Sequence, residues 1–252
     1  PLAAIRDYLQ HWRERFCLFH PQYPFMQVAA LAFRLIDPDL KVTAHKSDGD
    51  SIASGDVLMQ IEGRAASILS AERVALNFAG RLSGIATLTA DFVAQTKGTA
   101  TRITCTRKTT PGLRLVEKQA VLHGGGFNHR FSLSDAIMIK DNHIAAAGGI
   151  RSVLQAVKVQ ASHMVRTEIE VDRLDQLQEV LDEGGADVVL LDNMDTPALR
   201  DAVKMNAGRL ILEASGNMRI DRIAEVAATG VDYISSGALT HSAKTLDIGL
   251  DF

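Results

Sequence analysis

The chain has 252 residues, of which 46% are hydrophobic and 23% are charged, and its formal net charge is −3 at pH 7. This composition is ordinary for a globular enzyme with a sizeable core, and the length allows one large domain or a large domain with a small one. The mild negative charge and the short apolar runs argue against a nucleic-acid-binding track and a transmembrane helix.

The cysteine content and the amino end predict a reducing compartment. The two cysteines, Cys17 and Cys105, are too few for a disulfide framework, and no signal peptide is visible. We therefore expect a cytoplasmic protein. For Cys105, at the end of a predicted strand, a small buried side chain is favoured over a thiol nucleophile.

The amino-terminal hundred residues are predicted to place helices around one short hairpin. Residues 1–25 show no clear period and are predicted to be irregular. In chain order, the predicted elements are a helix over residues 27–37, strands over residues 40–45 and 57–62, and helical segments over residues 68–96. We expect the last helical stretch to be interrupted near Ser83 and Gly84.

From about residue 102 onward, short β-rich runs alternate with helix-compatible segments such as Arg173–Glu183 and Pro197–Lys204. The six runs cover residues 102–106, 136–140, 165–171, 187–192, 209–214 and 232–235. Alternation of this kind is typical of parallel βαβ units, and six strands in succession favour a β/α barrel over an open doubly wound sheet. The chain shows no G-x-G-x-x-G motif after a first strand, which weakens the case for a dinucleotide-binding fold.

A cationic window lies in the middle of the chain. Residues 101–140 hold seven basic residues but only two acidic ones, Glu117 and Asp135, which gives this window a net charge of +5. The window contains the segments C-T-R-K-T-T-P-G-L-R and H-G-G-G-F-N-H-R. A third segment, I-M-I-K-D-N-H, begins inside the window and ends just after it. Such a cluster within a mildly acidic chain predicts a small polyanionic ligand.

Polar residues occur where each of the six predicted strands ends. They are Thr106 with Arg107 and Lys108, Lys140, Glu170, Asp192, Ser215 with Gly216, and Ser236 with Gly237. Because the carboxyl ends of barrel strands meet on one face, we expect a shared site there. Arginine forks fit carboxylates and phosphates, lysine acts as a point charge, and Ser-Gly turns before helices offer backbone N–H groups to a phosphate.

Two further assignments concern acid–base chemistry at this face. Glu170 and Asp192 suit Mg²⁺ with sugar hydroxyls, or the stabilisation of a developing positive charge. The charge of Arg130 is expected to keep the adjacent His129 neutral. We therefore expect His129 to donate a hydrogen bond to substrate rather than to transfer a proton.

Taken in order, these motifs resemble those of the quinolinate phosphoribosyltransferase family, the decarboxylating nicotinate-nucleotide pyrophosphorylases of NAD synthesis. The similarity runs from about Phe25 to Phe252. The motifs that carry it are A-E-R-V-A-L-N-F, R-L-S-G-I-A-T, T-R-K-T-T-P-G-L-R, G-G-G-F-N-H-R, L-S-D-A-I-M-I-K-D-N-H, E-I-E-V-D, L-L-D-N-M, L-E-A-S-G-N and V-D-Y-I-S-S-G-A-L-T-H-S.

The resemblance implies an α/β fold, with an incomplete β/α barrel over residues 101–252 and a smaller N-terminal α/β sandwich domain over residues 1–100, to which the last residues can return. It implies transfer of phosphoribosyl from phosphoribosyl diphosphate to quinolinate with decarboxylation, giving nicotinate mononucleotide, pyrophosphate and CO₂. It also implies Mg²⁺ as cofactor, and a homodimer or an assembly of dimers with shared active sites. The alternatives are another acceptor, such as nicotinate or that of the molybdenum-transport-associated paralogues, and an inactive binding-only barrel.

The family pattern also implies a role for each matching residue. Arg73 is the residue donated across the dimer interface, and Lys108, Glu170 and Asp192 are catalytic, the two carboxylates as metal ligands. The substrate-binding set is Arg73, Thr106, Arg107, Lys108, His129, Arg130, Lys140, Glu170 and Asp192. The phosphate-binding set is Ser215, Gly216, Asn217, Ser236, Gly237, Ala238 and His241.

The chain departs from the family pattern at several positions. Residues 1–25 do not resemble the usual amino end, which puts the packing of the small domain and the stability of the chain in question. Cys105 stands in place of a frequent aspartate and Gln119 in place of a frequent tyrosine. Because neither is an implied ligand, we expect small effects.

Overall fold

The computed structural model describes residues 25–252, so Cys17 and nearly all of the segment predicted to be irregular lie outside the described residues. The described helices are α1 (Phe25–Ile36), α2 (Ala65–Ala94), α3 (Arg114–His123), α4 (Asp141–Ala147), α5 (Ile150–Gln160), α6 (Leu174–Glu183), α7 (Thr196–Asn206), α8 (Ile220–Ala227) and α9 (Ala238–His241). The described strands are β1 (Lys41–Ala44), β2 (Met59–Glu62), β3 (Arg102–Thr104), β4 (Ile137–Ile139), β5 (Thr167–Val171), β6 (Val188–Asp192), β7 (Ile211–Ser215) and β8 (Tyr233–Ser235).

The small sheet is the predicted hairpin. β1 and β2 pair antiparallel, with Lys41 opposite Glu62. Helix α1 packs on α2 and contributes Phe33 to a separate apolar cluster, against which Ile248 and Leu250 from the carboxyl end also pack. The last residues of the chain therefore contact the small domain.

Helix α2 runs without a break for 30 residues, so the predicted interruption near Ser83 and Gly84 is wrong. The glycines serve a close approach of two backbones instead. A Cβ on Gly84 would overlap the carbonyl oxygen of Lys244, and a Cβ on Gly80 would lie 2.6 Å from the carbonyl oxygen of Leu246. The N–H of Leu246 donates to the carbonyl oxygen of Gly80 at 3.0 Å. Glycine at these positions lets the carboxyl-terminal segment cross the helix.

The large sheet holds six parallel strands in the spatial order β3-β8-β7-β6-β5-β4. One strand was expected in each of the six β-rich runs, and one is found in each. An isolated bridge joins Thr104 to Phe127 beside the edge strand β3. Since the sheet order leaves β3 and β4 as its two edges, the barrel is incomplete, as predicted.

Branched apolar side chains from the strands fill the centre of the large domain. Ile169, Val189, Leu212 and Ile234 are essentially fully buried. They belong to one continuous core with residues of the surrounding helices. This core fixes the strands, whose carboxyl ends then define one face. Among the described residues, no helix combines the length and the apolar character that a bilayer crossing needs.

Candidate active site

The carboxyl ends of the six parallel strands form the face that we call the mouth of the barrel. Glu170 is the penultimate residue of β5. Asp192 and Ser215 end the neighbouring strands β6 and β7 and lie opposite each other in register. Lys140 follows β4, and Ser236 follows β8. Because parallel strands in register bring their ends together, the predicted polar strand ends share this face.

Two arginines at the mouth are close enough to affect each other. Burial and the nearby charge of Arg107 lower the pKa of the Arg130 guanidinium. Arg130 donates through Nη1 to the carbonyl oxygen of Ala136 at 3.2 Å and approaches the Met138 sulfur through Nη2 at 3.1 Å. The Nε atoms of both arginines are buried, and neither has a hydrogen-bond partner within the described part of the chain. This arrangement of donors suits an anion with carboxylate geometry.

His129 contacts protein groups through both ring nitrogens. Its Nδ1 accepts the backbone N–H of Arg130 at 2.8 Å, and its Nε2 lies 3.1 Å from Glu168 and 3.7 Å from Glu213. Burial disfavours the imidazolium, but the hydrogen bond to Glu168 and the two carboxylate charges outweigh it and raise the pKa of His129. The expectation that Arg130 lowers its proton affinity is therefore wrong, because the effects of the Glu168 and Glu213 carboxylates on the ring dominate.

The N–H donated to Nδ1 nevertheless requires a lone pair on that atom. The neutral ring then carries its proton on Nε2 and donates it to Glu168. Protonation of Nδ1 would break the bond to the Arg130 backbone. We therefore assign the Nε2–H tautomer to His129. In this form the ring links the backbone of Arg130 to Glu168 on β5.

Glu168 and Glu213 are functional neighbours that the sequence reasoning missed. Both are about 95% buried, and one oxygen of each has no hydrogen-bond partner within residues 25–252. Burial and the charge of Glu168 raise the pKa of Glu213 to about 7. A signal was available, because residues two apart on a strand share a face: Glu168 accompanies Glu170, and Glu213 accompanies Ser215.

The same three side chains resemble a metal site by composition. Ligand atoms of His129, Glu168 and Glu213 lie within 4.8 Å of one another. A metal would need the Nε2 lone pair, whereas the Arg130 N–H at Nδ1 fixes the proton on Nε2. The geometry therefore favours a hydrogen-bonded cluster over a metal centre.

The predicted catalytic carboxylates are each held by a neighbour. Lys140 forms an ion pair with Glu170, with Nζ 2.7 Å from Oε2. Asp192 accepts a hydrogen bond from the Asn193 side chain at 2.6 Å, and Asn193 in turn accepts one from Asn217 at 3.1 Å. Asn193 and Asn217 both have left-handed backbone conformations, with φ of 54° and 48°. These local interactions fix the direction of each carboxylate before any ligand binds.

The two Ser-Gly turns are crowded, and at Gly216 the backbone conformation also favours glycine. Gly216 has φ of 88°, and a Cβ there would overlap the side-chain oxygen of Asn193. A Cβ on Gly237 would lie 2.9 Å from the side chain of Lys108 and 3.0 Å from Nε2 of His241. The predicted phosphate-binding turn after β8 therefore contacts Lys108, one of the predicted catalytic residues.

Cys105 is fully buried, so the prediction of a small buried side chain is confirmed. Its sulfur contacts Nζ of Lys118 at 3.0 Å, and Lys118 also donates to the carbonyl oxygen of His129 at 2.8 Å. Lys118 is itself only 2% exposed. The cysteine is therefore buried against the segment that carries Asn128 and His129.

Arg73 does not belong to the group that the strand ends bring together. It lies on α2 with 75% of its side chain exposed, and it forms a 3.6 Å ion pair with its neighbour Glu72. An exposed arginine outside the mouth is compatible with donation to another subunit.

Comparison with known proteins gives matches along nearly the whole described chain. Residues 26–83 match the family model described as "Quinolinate phosphoribosyl transferase, N-terminal domain", and residues 85–251 match the model described as its "C-terminal domain". The "Probable nicotinate-nucleotide pyrophosphorylase [carboxylating]" of Bacillus subtilis (strain 168) is 46% identical over 87% of this chain and 75% of its own length. "Quinolinate phosphoribosyltransferase [decarboxylating] 2b, mitochondrial" of Nicotiana tabacum is 44% identical over 88% of this chain and 68% of its own.

Solved structures agree with these matches. The structure of NadC from Streptococcus pyogenes has a TM-score of 0.84 and 43% identity, over 88% of this chain and 78% of that one. The nicotinate-nucleotide pyrophosphorylase structure from Ehrlichia chaffeensis has a TM-score of 0.86 and 40% identity, over 90% of this chain and 82% of that one. Both fold and sequence therefore extend across the small domain and the barrel together.

Proposed function

Because this chain belongs to the quinolinate phosphoribosyl transferase family, we infer that it transfers the phosphoribosyl group of phosphoribosyl diphosphate to quinolinate. The ring nitrogen of quinolinate bonds to C1 of the ribose, and pyrophosphate leaves. Loss of the ring 2-carboxylate as CO₂ then gives nicotinate mononucleotide. The enzyme is a pentosyltransferase of NAD synthesis.

The observation that carries the substrate assignment is the arginine pair at the mouth. Quinolinate is a dianion, and Arg107 and Arg130 each have a buried Nε donor that no other group in residues 25–252 accepts from. Burial disfavours the Arg130 guanidinium, and the like charge of Arg107 adds to that cost. A bound dicarboxylate would relieve both effects, so we assign Arg107, Arg130 and Lys140 to quinolinate. His129 supports this pocket through the Arg130 backbone.

We assign phosphoribosyl diphosphate to Lys108 and to the loops that follow β7 and β8. We assign Lys108 to the diphosphate as a point charge. The turns at residues 215–217 and 236–238, with His241, are assigned to the 5′-phosphate. Their glycines allow backbone N–H groups to approach a phosphate closely.

Mg²⁺ is proposed as the cofactor from the chemistry of the donors. Glu170 and Asp192 supply hard carboxylate oxygens on adjacent strands. Mg²⁺ typically binds one or two carboxylates and completes its shell with substrate phosphates and water. These two residues fit that pattern and would hold the ion, which would neutralise charge on the leaving pyrophosphate.

The residues of this chain assist the first chemical step, and the substrate itself assists the second. As pyrophosphate departs, positive charge grows on the sugar, and we assign the carboxylates of Glu170 and Asp192 to stabilise it. Decarboxylation leaves a carbanion next to a cationic ring nitrogen, so that intermediate is partly stabilised by the substrate itself. The chemistry requires no protein nucleophile, in agreement with the burial of Cys105.

We further propose that the protein is a homodimer or an assembly of dimers, in which Arg73 of each chain completes the site of its partner. The exposed position of Arg73 outside the mouth supports this assignment. The cytoplasmic location stays a prediction, and the plant relative cited above is named as mitochondrial.

An acceptor assay tests the function. The protein is incubated with phosphoribosyl diphosphate and Mg²⁺, and with either quinolinate or nicotinate. We expect pyrophosphate and CO₂ to be released in the reaction that contains quinolinate and not in the one that contains nicotinate. Turnover of nicotinate but not of quinolinate would reject the assignment, and no release above blank with either acid would indicate a binding-only barrel.

A further inference from the structure

A buried ion pair joins two helices behind the mouth. Glu117 on α3 is fully buried, and its carboxylate accepts from Nη2 of Arg81 on α2 at 2.9 Å. The same carboxylate accepts the hydroxyl of Thr110 at 2.7 Å and the backbone N–H of Thr110 at 3.0 Å. Glu117 therefore ties the loop that follows Lys108 to the helix pair.

Arg81 uses its remaining donors on the other predicted ligand loop. Its Nη1 donates to the carbonyl oxygen of Ala243 at 3.2 Å, and its Nη2 donates to the carbonyl oxygen of Thr240. The Thr240 carbonyl lies at the carboxyl end of α9, where helix carbonyls lack partners within the helix, and Ala243 follows that end. One guanidinium thus bonds the phosphate-side helix and the carboxylate of Glu117 together.

Thr240 links helix α9 directly to Lys108. It is fully buried, and its hydroxyl donates to the carbonyl oxygen of Lys108 at 2.8 Å. The neighbouring Arg107 has a separate anchor, because Nη2 of Arg114 donates to its carbonyl oxygen at 3.2 Å. Thr240 therefore holds the Lys108 backbone directly, whereas Arg107 has an additional anchor in Arg114.

We propose that Arg81, Glu117 and Thr240 form a clamp that sets the distance between the diphosphate subsite at Lys108 and the 5′-phosphate subsite at Gly237–His241. The proposal rests on the function inferred above. The three residues lie behind the mouth, so they act as positioning residues and not as catalytic ones. They also give a role to Arg81 of the R-L-S-G-I-A-T motif and to Glu117, one of the two acids in the cationic window.

The clamp predicts a loss that is selective between the two substrates. Phosphoribosyl diphosphate must contact both subsites at once, so a shift of Lys108 relative to the 5′-phosphate loop weakens its binding. Quinolinate relies on Arg107 and Arg130, whose loops have their own anchors. Loss of a hydrogen bond in the clamp should therefore weaken the binding of phosphoribosyl diphosphate more than that of quinolinate.

The test is the near-isosteric change Thr240→Val, with Thr240→Ser as rescue and Thr229→Val as matched control. Thr229 is also buried and donates its hydroxyl to a backbone carbonyl, that of Val226, in the loop that enters β8 at the opposite end of the barrel. Calorimetry on the full chain measures Kd for phosphoribosyl diphosphate with Mg²⁺ and, separately, for quinolinate. We expect Thr240→Val to raise the first Kd by about tenfold and the second by less than about twofold.

Thr240→Ser should restore the first Kd, and Thr229→Val should leave both Kd values unchanged. The proposal is overturned if Thr240→Val changes both Kd values equally, or if it lowers Tm without changing either. If that variant does not fold, Arg81→Lys replaces it, because lysine keeps the charge beside Glu117 but lacks the fork that reaches both loops. The same selective loss is then expected, and its absence would contradict the clamp. Since the readout is binding, a wild-type chain that binds phosphoribosyl diphosphate but does not turn over quinolinate would disprove the function and not the clamp.

Discussion

At the scale of single residues, the mouth depends on charges that are held in place before the ligand arrives. Arg130 is fixed by the carbonyl of Ala136 and by His129, while its buried Nε makes no hydrogen bond to the described part of the chain. Such preorganisation reduces the entropy lost on binding.

The first prediction concerns Arg130→Ala. Loss of the guanidinium removes charge-assisted hydrogen bonds worth roughly 1.5–3 kcal/mol, so quinolinate binding should weaken by about 10- to 100-fold. Binding of phosphoribosyl diphosphate should change far less. Calorimetry with each substrate measures both effects, with Arg151→Ala as control because Arg151 is 70% exposed and lies on α5. Equal losses for the two ligands would contradict the assignment.

The second prediction concerns the pH dependence of stability. Burial and Glu168 raise the pKa of Glu213 from 4.5 to about 7 in the folded protein. Between these values the folded state keeps a proton that the unfolded state has lost, so the contribution to stability is present below pH 4.5 and is lost as the pH rises through about 7.

Glu213→Gln removes this titration. The free energy of unfolding of the variant minus that of wild type should therefore rise with pH. Between pH 5 and pH 8 this difference should increase by up to about 3 kcal/mol. Urea unfolding at several pH values measures the difference. A difference that is independent of pH would show that Glu213 does not hold the proton.

Individual site residues were predictable to different degrees. Cations and Ser-Gly turns at strand ends could be located because strand periodicity and barrel geometry place them together. Glu168 and Glu213 were missed because they lie deeper on the same strand faces, whereas the sequence reasoning considered only the strand ends. Burial at that depth raises the pKa of Glu213. The direction of the His129 pKa shift failed for a similar reason, since the sequence neighbour Arg130 was considered and the distant carboxylates were not.

At the scale of elements, the strands were easier to predict than the long helix. Six β-rich runs with helical segments between them specify the parallel sheet, and its strands appear where expected. The interruption predicted in α2 failed because Gly84 was interpreted by its low helix propensity. Its actual role is tertiary, since the Lys244 backbone passes too close for a side chain.

The third prediction tests that role with Gly84→Ala. In an exposed helix this change stabilises by about 1 kcal/mol, but here the new methyl group meets the Lys244 carbonyl. We expect a net loss of about 1–3 kcal/mol, typical of overpacking. Thermal unfolding measures it against Gly249→Ala, where a Cβ meets no atom within 4 Å. A raised Tm for Gly84→Ala would show that the crossing is loose.

At the scale of the whole molecule, the proposed dimer makes a prediction of its own. A chain with Arg73→Ala and a chain with Arg107→Ala are each expected to be nearly inactive as homodimers. In a mixed dimer, one of the two sites receives an intact Arg73 and an intact Arg107. Activity should therefore reappear after mixing, towards half of the wild-type value per mixed dimer.

Differently tagged chains and tandem purification isolate the mixed dimer. The matched control is a dimer of two wild-type chains, each carrying one of the two tags. No recovery in a confirmed mixed dimer would argue that each site is built from one chain.

Helix α2 also restricts how the architecture could be rearranged. The two family matches meet between residues 83 and 85, inside this 30-residue helix and beside the fully buried Leu82 and Ile85. Severing the gene there would expose apolar surface on both fragments and cut a run of helical hydrogen bonds. Neither half is thus a free-standing module that recombination could graft onto another protein, and the pair is expected to be inherited as one unit.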